Sequence, residues 1–154
     1  MPQVYPMHAI TIYPVWAWAI VHGHKTVENR TWRTRHRGPL LIHASAVSPA
    51  SRIADAAARQ QLAALGVEVP AEVPAAAIIG QVDVLDCVPY DQPGAIKAAA
   101  EALVNLVFPP PVYREQLSAD PLASGPFCWI LARPRAFSRP IAASGRQRLW
   151  RFTL

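Results

Sequence analysis

The sequence predicts an α+β fold: a small, partly closed β-barrel of five to seven mostly antiparallel strands, with two to four helices inserted between them. Three observations carry that expectation. Short, mostly apolar segments recur at 8–12, 39–44, 76–85, 127–132 and 149–153, the first alternating and β-branched. Between them lie stretches with helical spacing, punctuated by proline and glycine. The chain of 154 residues, 52% hydrophobic and 16% charged, fits one domain with a sizeable core and is too apolar for a disordered segment.

The elements are justified in order. His8-Ala9-Ile10-Thr11-Ile12 alternates as a strand does. Pro14 suits a first helical position, and Val15–His22 follows as a helix stopped by Gly23. That helix is apolar almost all round, which predicts burial on several sides. Lys25–Trp32 reads as a strand, 33–38 as a basic loop and Pro39–Ala44 as another strand. Ser48-Pro49 is an N-cap followed by proline, and Ala54, Ala58, Leu62 and Leu65 recur at helical spacing before Gly66. Residues 76–85 form a long strand. Residues 94–107 form a second alanine-rich helix, ended by Pro109-Pro110-Pro111. A loop at 120–126 leads to strand 127–132, a short strand or turn at 134–137 and a last strand at 149–153.

Charge is distributed unevenly. The net +5 divides into +4 over residues 1–45, −5 over 46–132 and +6 over 133–154, the last segment holding six arginines and no acid. If the two ends meet, they form one basic face suited to phosphate-bearing partners. A GC-rich genome, which favours arginine over lysine, would give the same excess. No apolar run approaches the ~20 residues of a membrane span, and residues 1–6 lack the features of a signal peptide. Cys87 and Cys128 lack metal spacing and read as reduced thiols of a cytoplasmic protein. No phosphate loop, nucleophile elbow or metal-ligand cluster is present in the sequence, so no cofactor and no metal are expected.

The densest chemistry lies in Gly23–Gly38. Lys25 is one of two lysines in an arginine-using chain, and a compact amine serves as base, nucleophile or anion anchor where arginine does not. Glu28 is three residues on. Residues three apart face opposite sides of a regular strand, so a Lys25–Glu28 pair requires a bulge or a strand that starts after Lys25. Thr26, Glu28, Arg30 and Trp32 share one strand face, Val27 and Asn29 the other. Asn29 and Arg30 offer donors to phosphates or base edges, and Trp32 offers a stacking surface. Arg33, Arg35 and Arg37 follow as phosphate contacts. Trp16 and Trp129 serve as core or as pocket wall. Arg30 serves as ligand contact or internal brace, and His43 and Ser45 as site residues or as hydrogen-bonded supports.

These segments together resemble a known family. The stretch 14–20, the motif Gly23-x-Lys25-Thr26-Val27-Glu28-Asn29-Arg30-x-Trp32-Arg33-Thr34-x-x-Arg37-Gly38, and Leu41-Ile42-His43-Ala44-Ser45 are similar to the ASCH (activating signal cointegrator homology) domain. So are Gly80-x-Val82, Gly125–Leu131 and Gly145…Leu149-Trp150, so that the likeness covers essentially the whole chain. The resemblance implies a PUA-like β-barrel over residues 1–154, whose relatives bind RNA or modified bases. It also implies a ligand cleft beside Gly23-x-Lys25-x-x-Glu28. Some relatives hydrolyse RNA or deacylate a modified cytidine. In the small amidohydrolase branch a threonine stands three positions after the lysine, where this chain has Glu28, which argues against deacylation.

Three functions compete at this level. The preferred one is a module binding RNA, another single-stranded nucleic acid or a nucleotide-like small molecule, with no membrane partner. Its base would enter a cleft lined by Trp16, Lys25, Glu28, Asn29, Arg30 and Trp129. The second is a ribonuclease or nucleoside amidohydrolase in which Lys25 and Glu28 are catalytic. The third is a protein-interaction module in which the same residues are structural.

Overall fold

A computed structural model describes residues 4–90 and 111–154. Among them the order of elements is β1 (Met7–Ile12), α1 (Pro14–Val21), β2 (Val27–Arg30), β3 (Gly38–Ala44), α2 (Pro49–Ala64), β4 (Ala77–Pro89), α3 (Pro111–Ala119), β5 (Phe127–Ala142) and β6 (Leu149–Phe152). The strands form a single mixed sheet in the order β2-β5-β4-β3-β1-β6.

The α+β class and the strand count agree with the sequence, but the barrel does not close. The ladder ends at β2 and β6, and among the described residues no pairing joins them. Both end strands are four residues long, which leaves few backbone groups with which to complete a closed, staggered ladder. Pairing is antiparallel for β1–β6 and β2–β5 but parallel for β1–β3, where Thr11 lies opposite His43. A parallel pair needs a crossover rather than a hairpin, and the segment carrying α1 supplies it.

The chain falls into two compact units. The first comprises Met1–Lys25, Gly38–Asp83 and Arg133–Leu154; the second comprises Thr26–Arg37 and Val84–Ala132. In the first, Ala9, Leu41, Ile78 and Trp150 form a buried cluster against which Met7, Phe137, Ile141 and Phe152 pack. Helix α1 buries seven of its eight residues, as its all-round apolar character requires, and Trp16 is the half-buried exception. The Val15 N–H at its first turn donates to Asp55 of α2 at 3.0 Å. Helix α2 starts where Ser48 predicts. Ser48 Oγ accepts from the Ser51 N–H at 3.0 Å, and Ser51 Oγ accepts from the Ser48 N–H at 2.8 Å, a reciprocal box with serine in the usual glutamate position.

In the second unit the core comprises Val27, Val88, Tyr90, Leu117, Ala123, Cys128 and Ile130, with Tyr113 packed against it. Four expectations change, one being that the strand expected over 76–85 runs on to Pro89. The strand expected over Lys25–Trp32 covers only Val27–Arg30. Helix α3 begins at Pro111, a residue that reads as a terminator but occupies a first helical position without loss, because its missing N–H would have no partner there. The short element expected at 134–137 is continuous with 127–132 as one strand, with Arg133 in the left-handed region at φ 50° absorbing the change of course. The helix expected at 94–107 lies outside the described residues. No helix among the described residues is long and apolar enough to cross a membrane.

Close approach of backbones fixes one glycine. A Cβ on Gly80 of β4 would come 2.5 Å from the Arg135 carbonyl oxygen of β5 and 2.6 Å from Val21 Cγ1 of α1. Neither neighbour has room to retreat, because Val21 belongs to the buried helix. Gly80→Ala is therefore expected to lower stability by about 1–3 kcal/mol. A denaturant midpoint unchanged from wild type would contradict this packing.

Candidate nucleic-acid interface

The register of β2 against β5 sorts the second unit's chemistry onto two faces. Val27 lies opposite Ile130, Glu28 opposite Trp129, Asn29 opposite Cys128 and Arg30 opposite Phe127. Directly opposed residues share a face, and faces alternate along a strand. Val27, Cys128 and Ile130 therefore point into the core, while Glu28, Arg30, Phe127 and Trp129 occupy the other side.

That other side mixes charge with aromatic rings. Glu28 Oε2 accepts from Arg30 Nη2 at 3.0 Å, and its Oε1 accepts from the Asn29 N–H at 3.1 Å. Both residues are largely covered, so the pair is shielded from water and salt more than a surface pair would be. Trp32 meets Trp129 edge to face with ring centroids 4.9 Å apart. The Arg33 guanidinium lies 5.5 Å from the Phe127 ring centroid, within cation–π range. Trp129 is fully buried, and its indole N–H has no hydrogen-bond partner among the described residues. An orphaned buried donor costs roughly 1–3 kcal/mol, so it marks a place where an acceptor would be welcome.

Asn29 is used differently from expectation. Its Nδ2 donates to the Leu122 carbonyl at 2.9 Å, while its Oδ1 accepts from the Ser124 and Gly125 N–H groups at 2.9 and 3.0 Å and from Cys128 Sγ at 3.4 Å. The amide pins the loop that launches β5. Arg37 is likewise an internal brace: its guanidinium donates to Asp86 at 3.0 Å and to the carbonyls of Thr34 and His36 at 3.2 and 2.9 Å. Of the three loop arginines, Arg33 covers a ring and Arg35 is exposed. Exposed Thr26 contributes its carbonyl to the Leu131 N–H at 2.9 Å.

The first unit holds the remaining candidates. Lys25 is only 5% exposed, with its Nζ 5.5 Å from the Trp16 ring centroid. Its N–H donates to the Ala19 carbonyl at 3.2 Å, tying it to the end of α1, and Gly23 at φ 80° makes the turn. Strand β2 starts after Lys25, so the alternation of a regular strand does not relate Lys25 to Glu28. His43 is 1% exposed and hydrogen-bonded on both nitrogens within this unit. Ser45, half-buried, donates to the Ala46 carbonyl at 3.3 Å. Sequence reasoning missed Phe127 and Asp86. The signal for Phe127 was present, since it alternates with Trp129; Asp86 had none, being 49 residues from its partner Arg37. No cluster of three or more metal-ligating side chains occurs among the described residues.

Comparison with known proteins places the chain. The ASCH domain family profile matches residues 10–141, and the protein belongs to that family. Human Activating signal cointegrator 1 is 26% identical over 145 residues, a match covering 92% of this chain and 22% of that protein. The mouse protein of the same name is 34% identical over 85 residues, covering 54% of this chain and 15% of its own length. The chain thus spans less than a quarter of either relative. Among solved structures, the ASCH protein of Zymomonas mobilis superposes with a TM-score of 0.48 at 18% identity, covering 94% of this chain and 85% of that one. The ASCH family is associated with RNA binding.

The loop behind this face carries a pH signature. Burial pushes the Cys87 thiol above its ordinary value of 9.0, against the pull of the Thr34 N–H and of Arg37 and Arg33 nearby. A thiol whose folded pKa exceeds its unfolded one contributes stability that is intact below the unfolded value and lost as pH rises through the folded one. Stability is therefore expected to decline above pH 9.0, with the decline reduced in Cys87→Ser. Native Cys87 is also expected to alkylate far more slowly than a free thiol at pH 8. Alkylation at the free-thiol rate in the folded protein would contradict the burial.

Proposed function

We propose that this protein binds single-stranded nucleic acid, RNA foremost, or a nucleotide-like ligand, through the face of β2 and β5 turned away from the second unit's core. The observation that carries this reading is the company kept on that face. Two arginines, a carboxylate, two tryptophans and a phenylalanine stand together where an ordinary sheet face would be either apolar or plainly solvated. An unstacked base needs a ring to lie on and donors or acceptors at its edge. Trp32 and Phe127 supply the rings, Arg33 a stacking cation, and Glu28 an acceptor for an exocyclic amine.

Phosphates are assigned to Arg33 and Arg35 beside this face. Lys25, buried beside Trp16, serves as a compact anion anchor. Membership of a family associated with RNA binding supports the same partner. The buried cysteines Cys87 and Cys128, neither joined in a disulfide, support a reducing, cytoplasmic setting.

Hydrolysis of RNA or of an acylated nucleoside by Lys25 and Glu28 is the weaker reading. Glu28 already holds Arg30 and the Asn29 N–H, and a carboxylate so engaged is a poor proton acceptor.

Fluorescence anisotropy with single-stranded RNA and DNA oligonucleotides at low and at physiological salt tests the proposal. Binding is expected to weaken with salt by about one released ion per phosphate contact. Trp32→Ala is expected to lose about 1–3 kcal/mol of affinity, the worth of one stacked base. Absence of binding to either nucleic acid at low salt would overturn the reading.

A further inference from the structure

The first unit contains a second arrangement of chemistry, which the nucleic-acid reading does not use. Parallel pairing of β1 and β3 sets Thr11 directly opposite His43. Thr11 Oγ1 and His43 Nδ1 are 3.2 Å apart, and His43 Nε2 lies 2.6 Å from the Ala143 carbonyl oxygen. A carbonyl only accepts, so Nε2 carries the proton; in neutral imidazole Nδ1 is then the acceptor, and the Thr11 hydroxyl donates to it. The Trp150 indole N–H donates to Thr11 Oγ1 at 3.2 Å. Hydroxyl, base and orienting acceptor thus stand in the order that activates an alcohol nucleophile.

One further observation distinguishes this set from a wholly buried brace. His43 is 1% exposed, whereas Thr11 is only half-buried, so the base is enclosed and the hydroxyl lies nearer the surface. Gly145 passes beside the pair, and a Cβ there would come 2.7 Å from Thr11 Oγ1 and 2.9 Å from His43 Cε1. Gly145 is not among the residues of positive φ, so its backbone does not require glycine; its close packing against Thr11 and His43 does.

The geometry points to an acyl-transfer site at Thr11, with His43 as general base and a small carboxylic ester as the class of substrate. Thr11 Oγ attacks the ester carbonyl carbon while its proton passes to His43 Nδ1. The imidazolium so formed is steadied by the Ala143 carbonyl, the negative charge passes to the carbonyl oxygen of the ester in the tetrahedral intermediate, and the Trp150 N–H holds Oγ in position. The bond to the leaving alcohol then breaks, the alcohol takes the proton from Nδ1, and Thr11 is left as an ester. Water, deprotonated in turn by His43, attacks that ester, releases the carboxylic acid and restores the hydroxyl.

The test uses the full chain and p-nitrophenyl acetate. Wild-type protein is expected to release p-nitrophenol and to carry one acetyl group, mapped to Thr11 by peptide mass spectrometry after acid quench. His43→Gln is expected to slow release by about 10²–10⁴-fold, the usual contribution of a general base. Thr11→Val is expected to abolish it, and Thr11→Ser to retain it. Any RNA affinity is expected to be unchanged in Thr11→Val, which keeps this site separable from the nucleic-acid interface. An unlabelled Thr11 in wild type, or release by Thr11→Val at the wild-type rate, would overturn the assignment.

Discussion

The Asn29 side chain fixes the register on which the second unit depends. Its amide joins β2 to the loop before β5 by hydrogen bonds to Leu122, Ser124, Gly125 and Cys128. Because strand faces alternate with a period of two, a slip of one residue would put Glu28 and Arg30 into the hydrophobic core and expose Val27. A four-residue strand has few ladder bonds with which to resist such a slip. The side-chain bonds of Asn29 make up that deficit, which explains a fully engaged polar residue in the middle of the motif.

Register, once fixed, determines the electrostatics. Glu28 is 8% exposed, and a carboxylate that dry is tolerable because Arg30 and the Asn29 N–H satisfy it. Arg37 gives the adjoining loop its shape by binding Asp86 and two carbonyls, which leaves Arg33 and Arg35 to project. The basic loop is thus divided between a structural arginine and arginines placed for a partner, although the three alternate identically in sequence.

Local rules made much of this legible. The proline-initiated α1, the Ser48 cap of α2 and the strand at 38–44 follow from capping chemistry and periodicity acting over a few residues. What sequence reading could not supply were outcomes of distant pairing. Asn29 looked like a ligand donor because its acceptors and donors lie 93 to 99 residues away. His43 stayed open between a site residue and a hydrogen-bonded support because its bonds to Thr11 and Ala143 cross 32 and 100 residues. The shortness of β2 and the open ends of the sheet likewise reflect which strands meet, and the residues at 25–32 carry no mark of it. Arg30 was open between ligand contact and brace and Trp129 between core and pocket wall; the register puts Glu28, Arg30, Phe127 and Trp129 on one side of β2 and β5, with Trp32 and Arg33 packed against the rings there.

The central claim, that this face receives an unstacked base, is tested most directly by the indole resonances. In a ¹H–¹⁵N spectrum of the protein titrated with a short single-stranded RNA, the Nε1 signals of Trp32 and Trp129 are expected to shift together, and that of Trp150 to stay in place. Saturable binding that moves backbone signals of the first unit while the Trp32 and Trp129 indoles remain still would contradict the account.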